Sequence, residues 1–334
     1  MKRDPSRRDF LATIAAGAAW AALPAKTEDD VPRTSARALF AASPAHEDEL
    51  LAIVLGSVQD GGLPQAGCYT RRCERARNDP RYVASLALVE PPAGRFYLVD
   101  ATPDLTRQMD LIPGVDFRER AAARRPFDGI FLTHAHIGHY LGLALLGREG
   151  LGITRTPCYV TERMAGFLRN NAPWRLLVEE ERLLLRPLVP QRWHRIDDSL
   201  SARLLRVPHR EEFSDTVAFV FRGPSRSLLY LPDIDGWDEW EHSIEAVAEE
   251  LEVAMLDGTF YSRAEVSGRS QEEIPHPLIP ETMDRLQSLT RAGRRVVFTH
   301  LNNTNAALDA ESPEAAEVRR RGFEVAREGM SFSL

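Results

Sequence analysis

Short apolar runs alternate with polar stretches of helical period along the chain from residue 51 onward. Residues 51–56 (LAIVLG) are apolar almost throughout, the pattern of a strand buried on both faces. That run leads into a glycine-rich loop, Asp60-Gly61-Gly62-Leu63-Pro64-Gln65. Residues 85–90 and 96–100 form two more strands, joined by the turn sequence Pro91-Pro92-Ala93-Gly94. A short strand at 129–132 precedes three closely spaced histidines, and 141–147 reads as a helix. Further on, the pattern predicts strand at 157–160, helix at 163–171, strand at 200–207, and a hairpin of 216–222 with 227–231. A helix at 237–250, a strand at 253–256, a helix at 280–291 and a strand at 295–299 follow. The chain closes with a helix near 313–327 and a last short strand. Residues 173–200 fit no single period. Hairpins interleaved with helices predict mixed sheets in an α/β (α+β) fold, not one parallel sheet.

Residues that carry chemistry fall repeatedly at the ends of these strands. In Thr133-His134-Ala135-His136-Ile137-Gly138-His139, the first two histidines are two apart in an extended segment and point the same way. His139, at the first turn of the following helix, can face the same point from the other side. His209 ends the strand at 200–207, Asp233 follows 227–231, and His300 follows 295–299. A lone histidine or aspartate at such a place is usually a cap or a turn residue. Six together favour one shared cation, and imidazole with carboxylate suits zinc or iron.

These motifs, in this order, resemble the metallo-β-lactamase fold superfamily, and the resemblance spans about 51–334. Gly56-Ser57, the loop at 60–65, the Cys68/Cys73 pair, Asp104 after Thr102-Pro103, and Thr299-His300-Leu301-Asn302-Asn303-Thr304-Asn305 are similar to one branch of it. That branch contains the B protein of pyrroloquinoline quinone (PQQ) biosynthesis. The resemblance implies an αββα sandwich of two mixed sheets flanked by helices, with metal at the edge between the sheets. It further implies that His134, His136 and His209 hold a first ion, and that His139, Asp233 and His300 hold a second, Asp233 bridging. The superfamily motif carries an aspartate where this chain has Gly138, so a second ion is expected to bind weakly or not at all.

The activity implied is that of a metallo-hydrolase using one or two zinc ions. Metal-activated water would attack an ester, lactone or phosphodiester of a small-molecule substrate. Asp233, with His139 beside it, is the candidate catalytic group, since Gly138 cannot orient that water. Asp104, Asp257 and His276 are weaker substrate-side candidates. Two histidines and a carboxylate (His139, His300, Asp233) also describe a non-haem iron oxygenase, in keeping with the branch's oxidative tailoring of a peptide tyrosine. A binding protein with a degraded site is the third reading.

The N-terminus adds a destination. Lys2, Arg3, Arg7 and Arg8 precede an alanine-rich apolar stretch, and Ser6-Arg7-Arg8-Asp9-Phe10-Leu11 matches a twin-arginine signal. This predicts a signal peptide at 1–25, a linker at 26–49 and one domain at 50–334. The protein would be delivered to the periplasm by the twin-arginine export machinery and keep no stable membrane anchor. Net charge is −7, with no basic run to follow a phosphate backbone, so nucleic acid is not expected as a partner. A hydrophobic fraction of 43% is enough for a sizeable core. Of three cysteines, Cys158 lies in an apolar strand; Cys68 and Cys73 suit a disulfide, part of a zinc site, or free thiols.

Overall fold

The computed structural model describes residues 49–334, apart from 92, 113–114, 116 and 266–274. The predicted signal peptide and nearly all of the linker lie outside the described residues. Among the described residues, fourteen strands form two seven-stranded sheets. In chain order they are β1 (Leu51–Gly56), β2 (Ser85–Glu90), β3 (Arg95–Val99), β4 (Gly129–Phe131), β5 (Thr156–Val160), β6 (Leu183–Pro187) and β7 (Trp193–Arg195). Then come β8 (Ser201–Arg206), β9 (Val217–Arg222), β10 (Ser227–Leu231), β11 (Val253–Asp257), β12 (Arg295–Thr299), β13 (Glu324–Val325) and β14 (Ser331–Ser333).

The first sheet runs β14-β1-β2-β3-β4-β5-β6 and the second β13-β12-β11-β10-β9-β8-β7. Strands β3 to β6 are mutually parallel, as are β10 to β13. Antiparallel pairs supply the rest, so both sheets are mixed.

The near-continuous apolar strands are explained by burial on both faces. Along β1, Ala52 and Val54 face the second sheet, while Ile53 and Leu55 face the outer helices. Along β9, Phe219 and Phe221 face inward, while Ala218 and Val220 pack outward. Three apolar layers therefore alternate with two sheets, which is the αββα sandwich. Phe131 sits in the central layer, stacked on Tyr159 at 4.7 Å and edge-on to Phe219 and Phe221. Burying such a ring contributes roughly 1.5–3 kcal/mol.

Most predicted elements fall within a residue of the observed ones; the departures have local causes. The helix expected at 237–250 is only Ile244–Glu249. Trp237 and Trp240 are buried ahead of it, their indole N–H groups donating to Thr282 Oγ1 (2.8 Å) and the Arg206 carbonyl (2.6 Å). Ser243 then starts the helix by accepting from the Ala246 amide. The helix expected to reach 327 ends at Arg320, where Gly322 at φ +83° turns the chain into β13. The segment at 173–200 holds the helix Trp174–Glu179 with β6 and β7.

The C-terminal ends of β1, β3, β4, β8, β10, β11 and β12 all point to one edge of the sandwich, because antiparallel steps occur in pairs between them. The residues that follow those strands build the site.

Candidate metal centre

Four potential ligands meet between the sheets. His134 Nε2 lies 2.9 Å from His136 Nδ1, which is 3.2 Å from His209 Nε2. Asp233 Oδ2 is 3.5 Å from His134 Nε2 and 3.2 Å from His209 Nε2. Zinc bonds of about 2.0–2.1 Å place neighbouring tetrahedral ligands about 3.3 Å apart. These separations bracket that value, so the four atoms fit one ion.

A second group adjoins the first. His139 Nε2 is 3.4 Å and His300 Nε2 3.6 Å from Asp60 Oδ1, and His300 Nε2 is 3.8 Å from Asp233 Oδ2. Asp60 Oδ1, His139 Nε2, His300 Nε2 and Asp233 Oδ1 are buried with no hydrogen-bond partner among the described residues. Buried polar atoms without partners are costly. A cation would satisfy the first three at once.

Each imidazole is oriented from behind. Thr133 Oγ1 is 3.0 Å from His134 Nδ1, and Asp100 Oδ2 is 2.7 Å from His139 Nδ1. Asp235 Oδ1 is 2.7 Å from His209 Nδ1, Glu212 Oε2 is 3.1 Å from His136 Nε2, and Thr259 Oγ1 is 3.0 Å from His300 Nδ1. Such partners fix ring direction and tautomer, leaving the other nitrogen for metal. Asp100 and His300 hold left-handed backbone angles, φ 63° and 60°. That conformation is uncommon outside glycine and costs of order 1–3 kcal/mol where side chains are bulky, a strain that concentrates at functional sites.

Charge in the cluster is strongly coupled. Burial drives the His134 and His136 imidazoles below the ordinary 6.5, so both are neutral. Burial also pushes His209 down, but Asp233 and Asp235 outweigh it and lift His209 to about 10. His139 is likewise raised against burial by Asp100 and Asp60. Burial favours a neutral Asp233, yet His209, His300 and His134 keep it ionised, well below 3.8.

Across the cluster, His276 Nδ1 lies 2.8 Å from Asp257 Oδ2 and 3.5 Å from Asp233 Oδ1. Asp257 is fixed in turn by the Ile234 and Thr259 amides. Burial lowers the His276 pKa, but Asp257 and Asp233 raise it above 6.5 overall.

All six sequence-predicted ligands, His134, His136, His139, His209, Asp233 and His300, come together here. Asp257 and His276 adjoin them. Asp104 instead accepts from the Val83 amide (3.0 Å), a structural role. Cys68 and Cys73 are joined as a disulfide. Four acidic residues were not singled out from sequence as site residues: Asp60, Asp100, Glu212 and Asp235. Asp60 also overturns the expectation of a second group short of one carboxylate, since it stands beside His139 and His300. The cue lay in the loop Asp60-Gly61-Gly62, an acidic residue at the end of a buried strand.

Paired imidazole–carboxylate groups at the edge of an αββα sandwich define a metal-binding protein of the metallo-β-lactamase architecture. Residues 95–301 match the family model "Beta-lactamase superfamily domain", and the chain belongs to that superfamily. Among known proteins, the coenzyme PQQ synthesis protein B of Methylorubrum populi is 27% identical over 312 residues, covering 84% of this chain and 99% of the relative. Its counterpart in Rhizobium meliloti is 28% identical over 318 residues, covering 86% and 98%. Among solved structures, Zn(2+)-bound PqqB from Methylobacterium extorquens superposes with a TM-score of 0.72 at 24% identity, covering 85% of this chain and all of the other. A diphosphatase of the PhnP family gives 0.57 at 20% identity, covering 86% and 97%.

Proposed function

We propose that this chain is a metal-dependent hydrolase acting on an ester, lactone or phosphodiester of a small molecule. The observation that carries this reading is the set of four atoms from His134, His136, His209 and Asp233, spaced as the corners of one zinc polyhedron. A zinc ion held there would lower the pKa of water from 15.7 to about 7 and polarise the oxygen of the bond to be cleaved.

The chain's own groups supply the rest. Asp233 presents Oδ2 to the histidines and leaves Oδ1 unbonded, able to accept a proton from, and so orient, an attacking water. Asp257 holds His276 by Nδ1, and His276 Nε2 makes no hydrogen bond among the described residues. A protonated His276 would give its proton to the departing oxygen.

A second reading has its own support. His139, His300 and the Asp60 carboxylate make a two-histidine, one-carboxylate set suited to iron and oxygen chemistry. The coenzyme PQQ synthesis relatives are in keeping with it. The disulfide is in keeping with export to the periplasm through the twin-arginine route.

One experiment separates the readings. Metal content is measured on purified protein, which is then assayed on phosphodiester, lactone and aryl ester substrates, and in parallel for oxygen uptake with iron and a reductant. Zinc with ester turnover supports hydrolysis; iron with oxygen uptake and no turnover supports oxygenation. Replacing His136 by alanine should abolish ester turnover, and replacing His139 should abolish oxygen uptake.

A further inference from the structure

The superfamily motif places a carboxylate directly before its third histidine, and here that position is Gly138. The space is not vacant. A Cβ built on Gly138 would stand 2.2 Å from Asp60 Oδ1 and 2.8 Å from Asp60 Cα. The second contact involves backbone, so a side-chain rotation cannot relieve it. Asp60 comes from a different part of the chain, the glycine-rich loop after β1, yet its Oδ1 lies within 3.6 Å of both His139 Nε2 and His300 Nε2.

That loop is held in place by the backbone. The Gln59 amide donates to the Leu301 carbonyl (3.0 Å), and the Leu301 amide donates to the Ser57 carbonyl (3.0 Å). Asp60 is thereby tied next to His300. The Gly62 amide donates back to the Gln59 carbonyl (2.8 Å), closing the turn with Gly62 at φ +69°. Farther along, Arg72 beside the disulfide donates to the Asn303 and Asn305 carbonyls, fastening the same two segments again. Three atoms aimed at one point, Asp60 Oδ1, His139 Nε2 and His300 Nε2, are all buried without hydrogen bonds among the described residues.

We propose that Asp60 and Gly138 are a transposed pair: the carboxylate ligand of a second divalent ion has moved from the histidine motif to the glycine-rich loop, and Gly138 keeps room for it. The ion is held by Asp60, His139 and His300, with Asp233 reaching from the first group. This rests on the hydrolase reading only in placing an ion in the first group; it makes no demand on the reaction.

The test counts ions by native mass spectrometry and follows cobalt-substituted protein by its visible spectrum. Wild type is expected to hold two ions per chain. Asp60→Asn, which keeps shape and removes charge, should hold one, its second-ion affinity reduced by more than about 100-fold, since loss of an outer partner alone costs 10–100-fold. Gly138→Asp alone should melt at a lower temperature through the clash with Asp60. The double variant Asp60→Gly/Gly138→Asp should regain the second ion. Two ions retained with unchanged affinity in Asp60→Asn would overturn the proposal, as would one ion in wild type or a folded double variant left at one. A wild type that binds one ion and still cleaves esters would sink this inference while leaving the hydrolase reading intact.

Discussion

Asp100→Asn tests how the site controls its imidazoles. Asp100 is fully buried and accepts three donors: the Thr133 amide at 2.8 Å, Thr133 Oγ1 at 3.0 Å, and His139 Nδ1 at 2.7 Å. Asparagine keeps the volume but offers one oxygen. If that oxygen serves the Thr133 amide, the new amino group faces His139 Nδ1, donor against donor. His139 then moves its proton to Nε2, the nitrogen that faces Asp60 and the proposed ion. The opposite amide orientation sets an amino group against a backbone N–H that cannot change its role, at about 1–3 kcal/mol. The first arrangement wins, and the ligand tautomer is wrong. Losing such a partner costs 10–100-fold in metal affinity, or about 1.4–2.7 kcal/mol. Competition titration against a chromophoric chelator should show one weakened zinc and one unchanged. Equal affinities in variant and wild type, or equal loss from both ions, would refute the tautomer argument.

Further outcomes follow from the same geometry. Among the described residues the Asp235 carboxylate makes one hydrogen bond, to His209 Nδ1, so Asp235→Asn can turn its oxygen to that nitrogen and should weaken zinc less than Asp235→Ala, whose loss should reach about 10–100-fold; chelator titration compares them. His276→Gln should lower turnover by about 10²–10⁴ for poor leaving groups, but much less for p-nitrophenyl substrates, whose departing oxygen needs no proton, with bound metal unchanged. In metal-free protein, His209 is raised from 6.5 to about 10 by Asp233 and Asp235 against burial, and His139 and His276 are raised as well. The His209 contribution is complete below pH 6.5 and is lost as pH climbs toward about 10, and those of His139 and His276 are likewise lost as pH rises above 6.5. His134 and His136, held neutral, act only below 6.5. Melting temperature of the chelator-treated protein should therefore fall across that upper window, and a rise there would contradict the assignment.

Six ligand-type residues were legible because each follows a hydrophobic strand, and strand ends are where an α/β sandwich presents side chains. Asp60 was legible only as part of a turn. Its neighbours in space, Gly138 and His300, are far away in sequence, and the hydrogen bonds between Gln59, Leu301 and Ser57 that join them are tertiary. Asp100 stood at the end of a predicted strand, but nothing local reveals that its carboxylate turns back to Thr133 and His139. Strands were placed well because burial on both faces leaves unbroken apolar runs. The helix expected at 237–250 was overextended for a related reason: Trp237 and Trp240 fit a helical period, yet their indoles are claimed by Thr282 and Arg206.

The most direct measurement is turnover as a function of zinc bound per chain. Metal-free protein is titrated with zinc while ester or phosphodiester cleavage and occupancy are recorded together, with His136→Ala as the companion. The account predicts no cleavage without metal, cleavage that rises with zinc occupancy, and none in His136→Ala at any zinc concentration tested. Cleavage that persists in metal-free protein, or saturating zinc occupancy with no cleavage of any ester, lactone or phosphodiester, would contradict it.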